Sequence, residues 1–328
     1  MTTRGHVLVT GASGFIGRDL VRRLAAGGWH VKAAARVFDD VPDLPGIEPV
    51  RLPDLASPVE WSGLVDGATH VVHLAGIAHA TSTIPDAVYH AVNAEAVRTL
   101  AAASRRASVR RVVMVSSIRA QCGPAAPDVV DERRAPIPID AYGRAKLAGE
   151  RCLAETLVAG STDWCVLRPV LVYGPGVKGN MASLLRLART SWPLPIEGLT
   201  ARRSLLGLAT LAAAVEHALT APAPSRGTYV LADPGPLTVP EIVGAMRRGL
   251  GRPPRTFHVP LGPARLAAVL AGRRATWERI AGDLVVSTAA LEATGWQPVE
   301  SAREGLGRWM TDDAETAAGI SSASGPLP

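Results

Sequence analysis

Residues 7–10 form a short apolar run that breaks into three glycines, Gly11, Gly14 and Gly17. Leu20, Val21 and Leu24 then recur with the period of a helix face. Apolar runs and helical periodicity go on alternating through the first half of the chain. Strands are expected at 29–36, 70–74, 111–116 and 164–167, and helices at 84–106 and 140–157. Residues 42–52 are punctuated by prolines and read as a loop leading into a short strand, while the proline-rich 124–138 reads as a loop over the sheet edge. Strands alternating with helices predict an α/β protein with a Rossmann-type, doubly wound parallel sheet. After Arg168-Pro169 the segments shorten, with helices expected at 181–189 and 240–250 and a strand at 228–231. The pattern divides the chain into residues 1–169, with later segments returning to that unit, and a smaller C-terminal unit at 170–310. Residues 311–328 are small, polar and aperiodic, and are expected to be disordered.

Composition adds little to this picture. With 328 residues, 47% hydrophobic and 20% charged, the chain can bury a sizeable core. Its longest apolar run, 205–215, falls short of the roughly 18 residues of a membrane span. Met1–Arg4 lead straight into the first strand without a leader-like stretch, so a cytoplasmic location is expected. Cys122, Cys152 and Cys165 lack metal-ligand spacing and the eight histidines are scattered, so no metal site is expected. A net charge of +6 sits largely in arginine doublets, an ordinary solvated surface that also favours anionic small molecules. Only 4% of residues are aromatic and none interleave with the basic runs, which argues against nucleic acid as a partner.

The chemistry-bearing positions are few. A strand turning sharply into a helix at Gly11–Gly17 aims backbone N–H groups and a positive helix end at one spot. That spot suits a pyrophosphate, and glycine permits its close approach. Tyr142 and Lys146 lie four residues apart on an expected helix, hence on one face. A tyrosine acts as a base near neutral pH only if its pKa falls from about 10, and a neighbouring ammonium together with a cationic nicotinamide would favour the phenolate. Ser116 and Ser117 close the strand at 111–116, where a hydroxyl can hold a substrate oxygen.

In that order the motifs resemble the extended short-chain dehydrogenase/reductases of the NAD-dependent epimerase/dehydratase family. They are Thr10-Gly11-Ala12-Ser13-Gly14-Phe15-Ile16-Gly17, His73-Leu74-Ala75-Gly76, Val92-Asn93, Val115-Ser116-Ser117, Tyr142 with Lys146, and Leu167-Arg168-Pro169. The segment from Val172 to Asn180, Arg202-Arg203-Ser204 and Thr294-Gly295-Trp296-Gln297-Pro298 resemble the UDP-glucose 4-epimerase-like branch. The resemblance implies an NAD(P)-binding first domain and a substrate-binding second one. Gly11, Ser13, Gly14, Phe15, Ile16 and Gly17 would hold the pyrophosphate region, with Asp54 and Leu55 at the adenine. Leu74, Ala75, Gly76 and Asn93 would line the cofactor, and Lys146 would bond the nicotinamide ribose and tune Tyr142. Ser117, Tyr142 and Lys146 are the implied catalytic set, with Ser116 as the alternate for Ser117. Ser117, Asn180 and Arg203 are the implied substrate contacts.

Departures from the family pattern refine the expectation. Arg36 stands where an acidic residue would bond the ribose of NAD, which tips the cofactor toward NADP, although Asp39 and Asp40 follow closely. Ile118 and Arg119 replace the Asp-Glu pair of dehydratases, so elimination is not expected. Ala209 occupies a position where relatives carry an aspartate. The expected activity is therefore a 4-epimerase acting on a nucleotide- or polyprenyl-diphosphate-linked sugar. A carbonyl reductase exchanging NADP(H) is the rival, and a non-catalytic cofactor-binding protein a more distant one. Relatives dimerise through helices corresponding to 87–105 and 142–157, so a homodimer is expected. Leu266–Leu270, Arg273-Arg274 and Trp277 form a candidate peripheral membrane contact, with a helix packed on the second domain as the alternative.

Overall fold

The computed structural model describes residues 4–78, 83–223, 225–260, 262 and 281–323, with the backbone alone for 316–323. The first apolar run is strand β1 (Gly5–Thr10) and the periodic stretch after the glycines is helix α1 (Phe15–Ala26). β2 (Trp29–Ala35), β3 (Ile47–Arg51), β4 (His70–His73), β5 (Arg111–Val115) and β6 (Asp163–Pro169) follow. Between them lie α2 (Ser62–Val65), α3 (Asp86–His90), α4 (Ala96–Arg106) and α5 (Ala141–Leu157). The second half contributes β7 (Leu171–Tyr173), α6 (Gly179–Arg189), β8 (Arg202–Arg203), β9 (Leu205–Gly207) and α7 (Leu208–Thr220). It closes with β10 (Gly227–Leu231), β11 (Leu237–Thr238), α8 (Val239–Gly249) and α9 (Ala302–Ala323).

Seven strands form one parallel sheet in the order β10-β6-β5-β4-β1-β2-β3. The sheet is the expected doubly wound Rossmann type. Its strand order reverses between β1 and β4, and the carboxyl ends of those strands open the crevice where such sheets take ligands. Both faces are covered, so the strands are apolar on both sides. Val7 and Val9 pack with α1 and α7, whereas Leu8 between them packs with α4 and α5. A third core joins α6, α8 and α9 through Met181, Ile242, Met246, Leu306 and Met310.

Two elements differ from the sequence expectation. The helix expected over 84–106 starts at Asp86 and is interrupted by a π turn at Ala91–Glu95. The extra residue in that turn re-aims Asn93 into the interior. The tail expected to be disordered from 311 is helical to Ala323. Ala314 and Glu315 favour helix, the Thr311 hydroxyl donates to the Gly249 carbonyl at 3.2 Å, and Arg189 bonds Asp313 at 2.6 Å. These contacts hold the start of the segment against α6 and α8, and residues 324–328 lie outside the described residues.

Candidate active site

The site begins where β1 ends. The Gly11 and Ala12 amides both donate to the Ala34 carbonyl, at 2.9 and 3.1 Å, so the turn is pinned to β2. Gly11 has φ of 74°, a left-handed conformation that favours glycine, and a Cβ on Gly17 would lie 2.1 Å from the Gly11 carbonyl oxygen. The helix start is therefore drawn down onto the turn. Gly14 caps α1 without a side-chain bond, and the first turn carries no acidic residue. Its open N–H groups and positive helix end suit a dinucleotide pyrophosphate. Thr10 Oγ1 bonds His73 Nδ1 at 2.8 Å and accepts from the Ala75 amide at 3.2 Å, which ties the ends of β1 and β4 together.

The second half of the site is carried by α5. Asp140 caps it, accepting from the Gly143 amide at 2.7 Å, and also pairs with Arg119. A Cβ on Gly143 would lie 2.3 Å from the Arg119 carbonyl oxygen, so glycine lets the turn after Ser117 press against the helix. Tyr142 is buried between Tyr89, Ala145, Ile77 and Ile84. Lys146, one turn on, is buried and donates to the Val115 carbonyl at 3.2 Å. Its ammonium lies 3.4 Å from where a Gly76 Cβ would stand, beside Asn93. Asn93 accepts from the Ile77 amide at 3.0 Å and donates back to the Ile77 carbonyl at 3.2 Å. Lys146, Asn93 and Gly76 thus meet at the carboxyl end of β4.

Burial governs the electrostatics. It pushes the Tyr142 phenol up, and the Ser117 hydrogen bond, then Arg119, oppose that rise while Asp140 and Glu150 add to it. It also pushes Lys146 down to about 8, against the raising effect of Glu150. The expected lowering of the tyrosine calls on a cationic nicotinamide as well as the lysine; in the folded chain by itself the cost of removing both charges from water dominates.

Of the two serines, Ser117 lies beside Tyr142, where it opposes the rise of the phenol, and accepts from the Arg119 amide at 3.1 Å. Ser116 donates to Glu150 and is committed there. Glu150 receives Arg168 Nε at 3.0 and 3.1 Å to its two oxygens, and Arg168 also bonds Gln121. The Gln121 amide donates to the Asp131 carbonyl at 3.2 Å and to that of Arg134. This buried chain fixes β5, α5, β6 and the loop at 124–138 to one another. Glu150 follows Tyr142 and Lys146 at helical spacing and so shares their face, the one signal in the sequence that marks it.

The remaining expected positions are more dispersed. Arg36 is exposed at the end of β2, and Asp40 is held by Arg18 at 3.0 Å. Exposed Asp54 follows β3 and accepts from the Ala56 amide at 3.1 Å, with Leu55 buried beside it. Leu74 and Ile16 pack on the core, while Ser13 and Phe15 are half-buried in the glycine turn. Asn180 is exposed in the first turn of α6. Arg203 donates to the Pro124 carbonyl at 3.0 Å and the Gly282 carbonyl at 2.8 Å, so its guanidinium clips two backbone segments. Asp233 supplies a carboxylate at the start of α7, the helix containing Ala209. It accepts from the Gly207 amide and the Tyr173 hydroxyl, both at 2.8 Å. The candidate membrane segment at 266–277 lies wholly outside the described residues. Among the described residues no helix is long and apolar enough to cross a membrane, and no cluster of three metal-ligating side chains occurs.

His73 gives the site a measurable pH signature. Burial, then the Lys146 charge, push its pKa from 6.5 to about 3. Below 6.5 the unfolded chain binds a proton that the folded one refuses, so stability falls with acidification toward pH 3. Between 6.5 and about pH 5 this group accounts for a loss of about 2 kcal/mol. Urea unfolding across that range measures it, and a His73→Gln variant should show a shallower slope.

A pinned glycine turn at the switch point, with a serine, tyrosine and lysine converging on the same sheet edge, defines a nicotinamide-dependent enzyme of the short-chain dehydrogenase/reductase type. The chain belongs to the NAD dependent epimerase/dehydratase family, whose profile matches residues 7–232. It is 29% identical over 313 residues to a UDP-glucose 4-epimerase of Vibrio cholerae, spanning 92% of this chain and 93% of that one. It is 32% identical over 319 residues to a 3-diazoavenalumate denitrifying reductase of a Streptomyces species, spanning 92% and 99%. Among solved structures, MoeE5 in complex with UDP-glucose and NAD aligns with a TM-score of 0.75 at 26% identity, covering 95% of this chain and 100% of that one.

Proposed function

We propose that the protein is a 4-epimerase of nucleotide- or polyprenyl-diphosphate-linked hexoses or N-acetylhexosamines, working with a tightly held NAD(P). The convergence of Ser117, Tyr142 and Lys146 beside Asn93 and Gly76 carries this reading. Near full-length similarity to a UDP-glucose 4-epimerase supports it. A bound nicotinamide supplies reversible two-electron oxidation of the C4 alcohol. The Tyr142 phenolate takes the 4-hydroxyl proton while Ser117 holds the oxygen, and Lys146 keeps its ammonium at the cofactor ribose. On the return of the hydride to the other face of the turned keto-sugar, Tyr142 would give the proton back. The cycle is redox-neutral.

In this reading the glycine turn, Leu74, Ala75, Gly76 and Asn93 hold the cofactor in the domain formed chiefly by 1–169. Residues 170–310 supply most of the sugar pocket, with Asn180 in contact. Arg203 acts there through the backbone segments it clips.

A reductase exchanging NADP(H) is the second reading, favoured by exposed Arg36 and by the reductase relative. Mass spectrometry of the supernatant after denaturing purified protein separates the two. Stoichiometric retained cofactor is expected for the epimerase, and an empty site would favour exchange. A donor panel of UDP-glucose, UDP-N-acetylglucosamine and polyprenyl-diphosphate sugars then tests the substrate. Conversion of none of them would overturn the epimerase.

A further inference from the structure

The end of α6 and the segment paired with it expose a group of large apolar side chains. Trp192 is 76% exposed, and Leu187, Phe257 and Val259 are exposed with it. The two segments that carry these side chains are stitched together. The Leu194 amide donates to the Arg255 carbonyl at 2.9 Å, and the Phe257 amide to the Leu194 carbonyl at 3.0 Å. From beneath, the buried Arg247 guanidinium donates to the Trp192 carbonyl at 2.8 Å and the Arg255 carbonyl at 3.2 Å. The apolar side chains are therefore presented on a fixed backbone, which keeps the ordering cost of binding low.

Arginines are interspersed with them along the chain. Arg186, Arg189, Arg248, Arg252 and Arg255 are all exposed on the same two segments. Among the described residues only Arg189 of these has a carboxylate partner, Asp313, and the nearby acid Glu197 accepts from Thr256. Cations interspersed with an exposed tryptophan, phenylalanine and leucine are the composition that settles at a lipid headgroup boundary. Four partly exposed apolar side chains are too few for a stable protein interface of roughly 800 Å² a side. Shallow insertion needs no more.

We propose that this face docks the protein on an anionic bilayer surface, with Trp192 and Phe257 entering the headgroup layer and the arginines pairing with lipid phosphates. The first turn of the same helix carries Asn180, about 15 Å away at about 1.5 Å per residue. Docking would bring the proposed sugar pocket within reach of a lipid-diphosphate substrate. That consequence rests on the proposed function, whereas the docking itself does not.

The test is co-sedimentation of the full chain with phosphatidylcholine vesicles with and without phosphatidylglycerol, using no sugar donor. Binding is expected only to the anionic vesicles, and salt should release it. Arg252→Gln and Arg255→Gln should each weaken it by about fivefold. Trp192→Ser should weaken it by about tenfold or more. Unchanged thermal unfolding of these surface variants shows that the fold is intact. Absence of binding, equal binding to neutral vesicles, or a Trp192→Ser variant that binds like the parent would each overturn the proposal. So would a concentration-dependent dimer that Trp192→Ser disrupts without any vesicle binding, since the face would then belong to a second copy. None of these readouts depends on turnover, so a failed epimerase assay leaves the docking result standing.

Discussion

Replacing Tyr142 by phenylalanine is expected to leave a folded, cofactor-binding protein whose turnover falls by about 10²–10⁴-fold, the usual contribution of a positioned acid–base group. The ring sits among Tyr89, Ala145 and Ile77, and phenylalanine fills the same space. Only the hydroxyl is lost, a stability change of about 1 kcal/mol. Steady-state kinetics on whichever donor the panel identifies, beside isothermal titration with NAD and NADP, separates chemistry from binding. Parent-level turnover in the variant would remove Tyr142 from the mechanism. The phenol supplies a second readout. Burial pushes it above its ordinary value, and a nearby cation is what would bring it down. Ultraviolet difference titration of parent against variant should place this ionisation lower with oxidised cofactor than without.

Glu150→Gln should destabilise the protein by roughly 3–5 kcal/mol, because it strands the buried Arg168 guanidinium without its carboxylate. Total stabilities of about 5–15 kcal/mol make that a large fraction. Both side chains are about 95% buried, at 5% and 6% exposure, so water cannot replace the lost partner. Ser116 loses its charged acceptor as well, loosening the strand end that presents Ser117. A Glu150→Leu/Arg168→Met double variant removes both charges and should recover much of the loss, since a well-packed apolar pair avoids the desolvation cost. Urea unfolding of the single and double variants gives the comparison. A single variant within about 1 kcal/mol of the parent would show that the pair contributes little.

Much of the fold was legible because its signals are local. A strand buried on both faces must be apolar throughout, and α1 must show helical spacing to cover β1. The glycines at 11, 14 and 17 declared a tight turn because another residue at Gly17 would strike the backbone. The spacing of Tyr142 and Lys146 placed them on one helix face before any coordinates. What remained hidden depends on partners far apart in sequence. Glu150 reads as a surface charge until Arg168 and Ser116 arrive from other strands. The tail reads as coil until α8 and Arg189 meet it.

The sequence by itself determined the sheet, its turn and the family, since each rests on near neighbours repeating a pattern along the chain. Folding commits Ser116 to Glu150, draws Arg203 into a backbone clip and, through burial, pushes the Tyr142 phenol up in the chain by itself. A hydrogen bond across the fold and the loss of water around a charge arise only on folding, when distant segments close over one another, and so no local spacing encodes them.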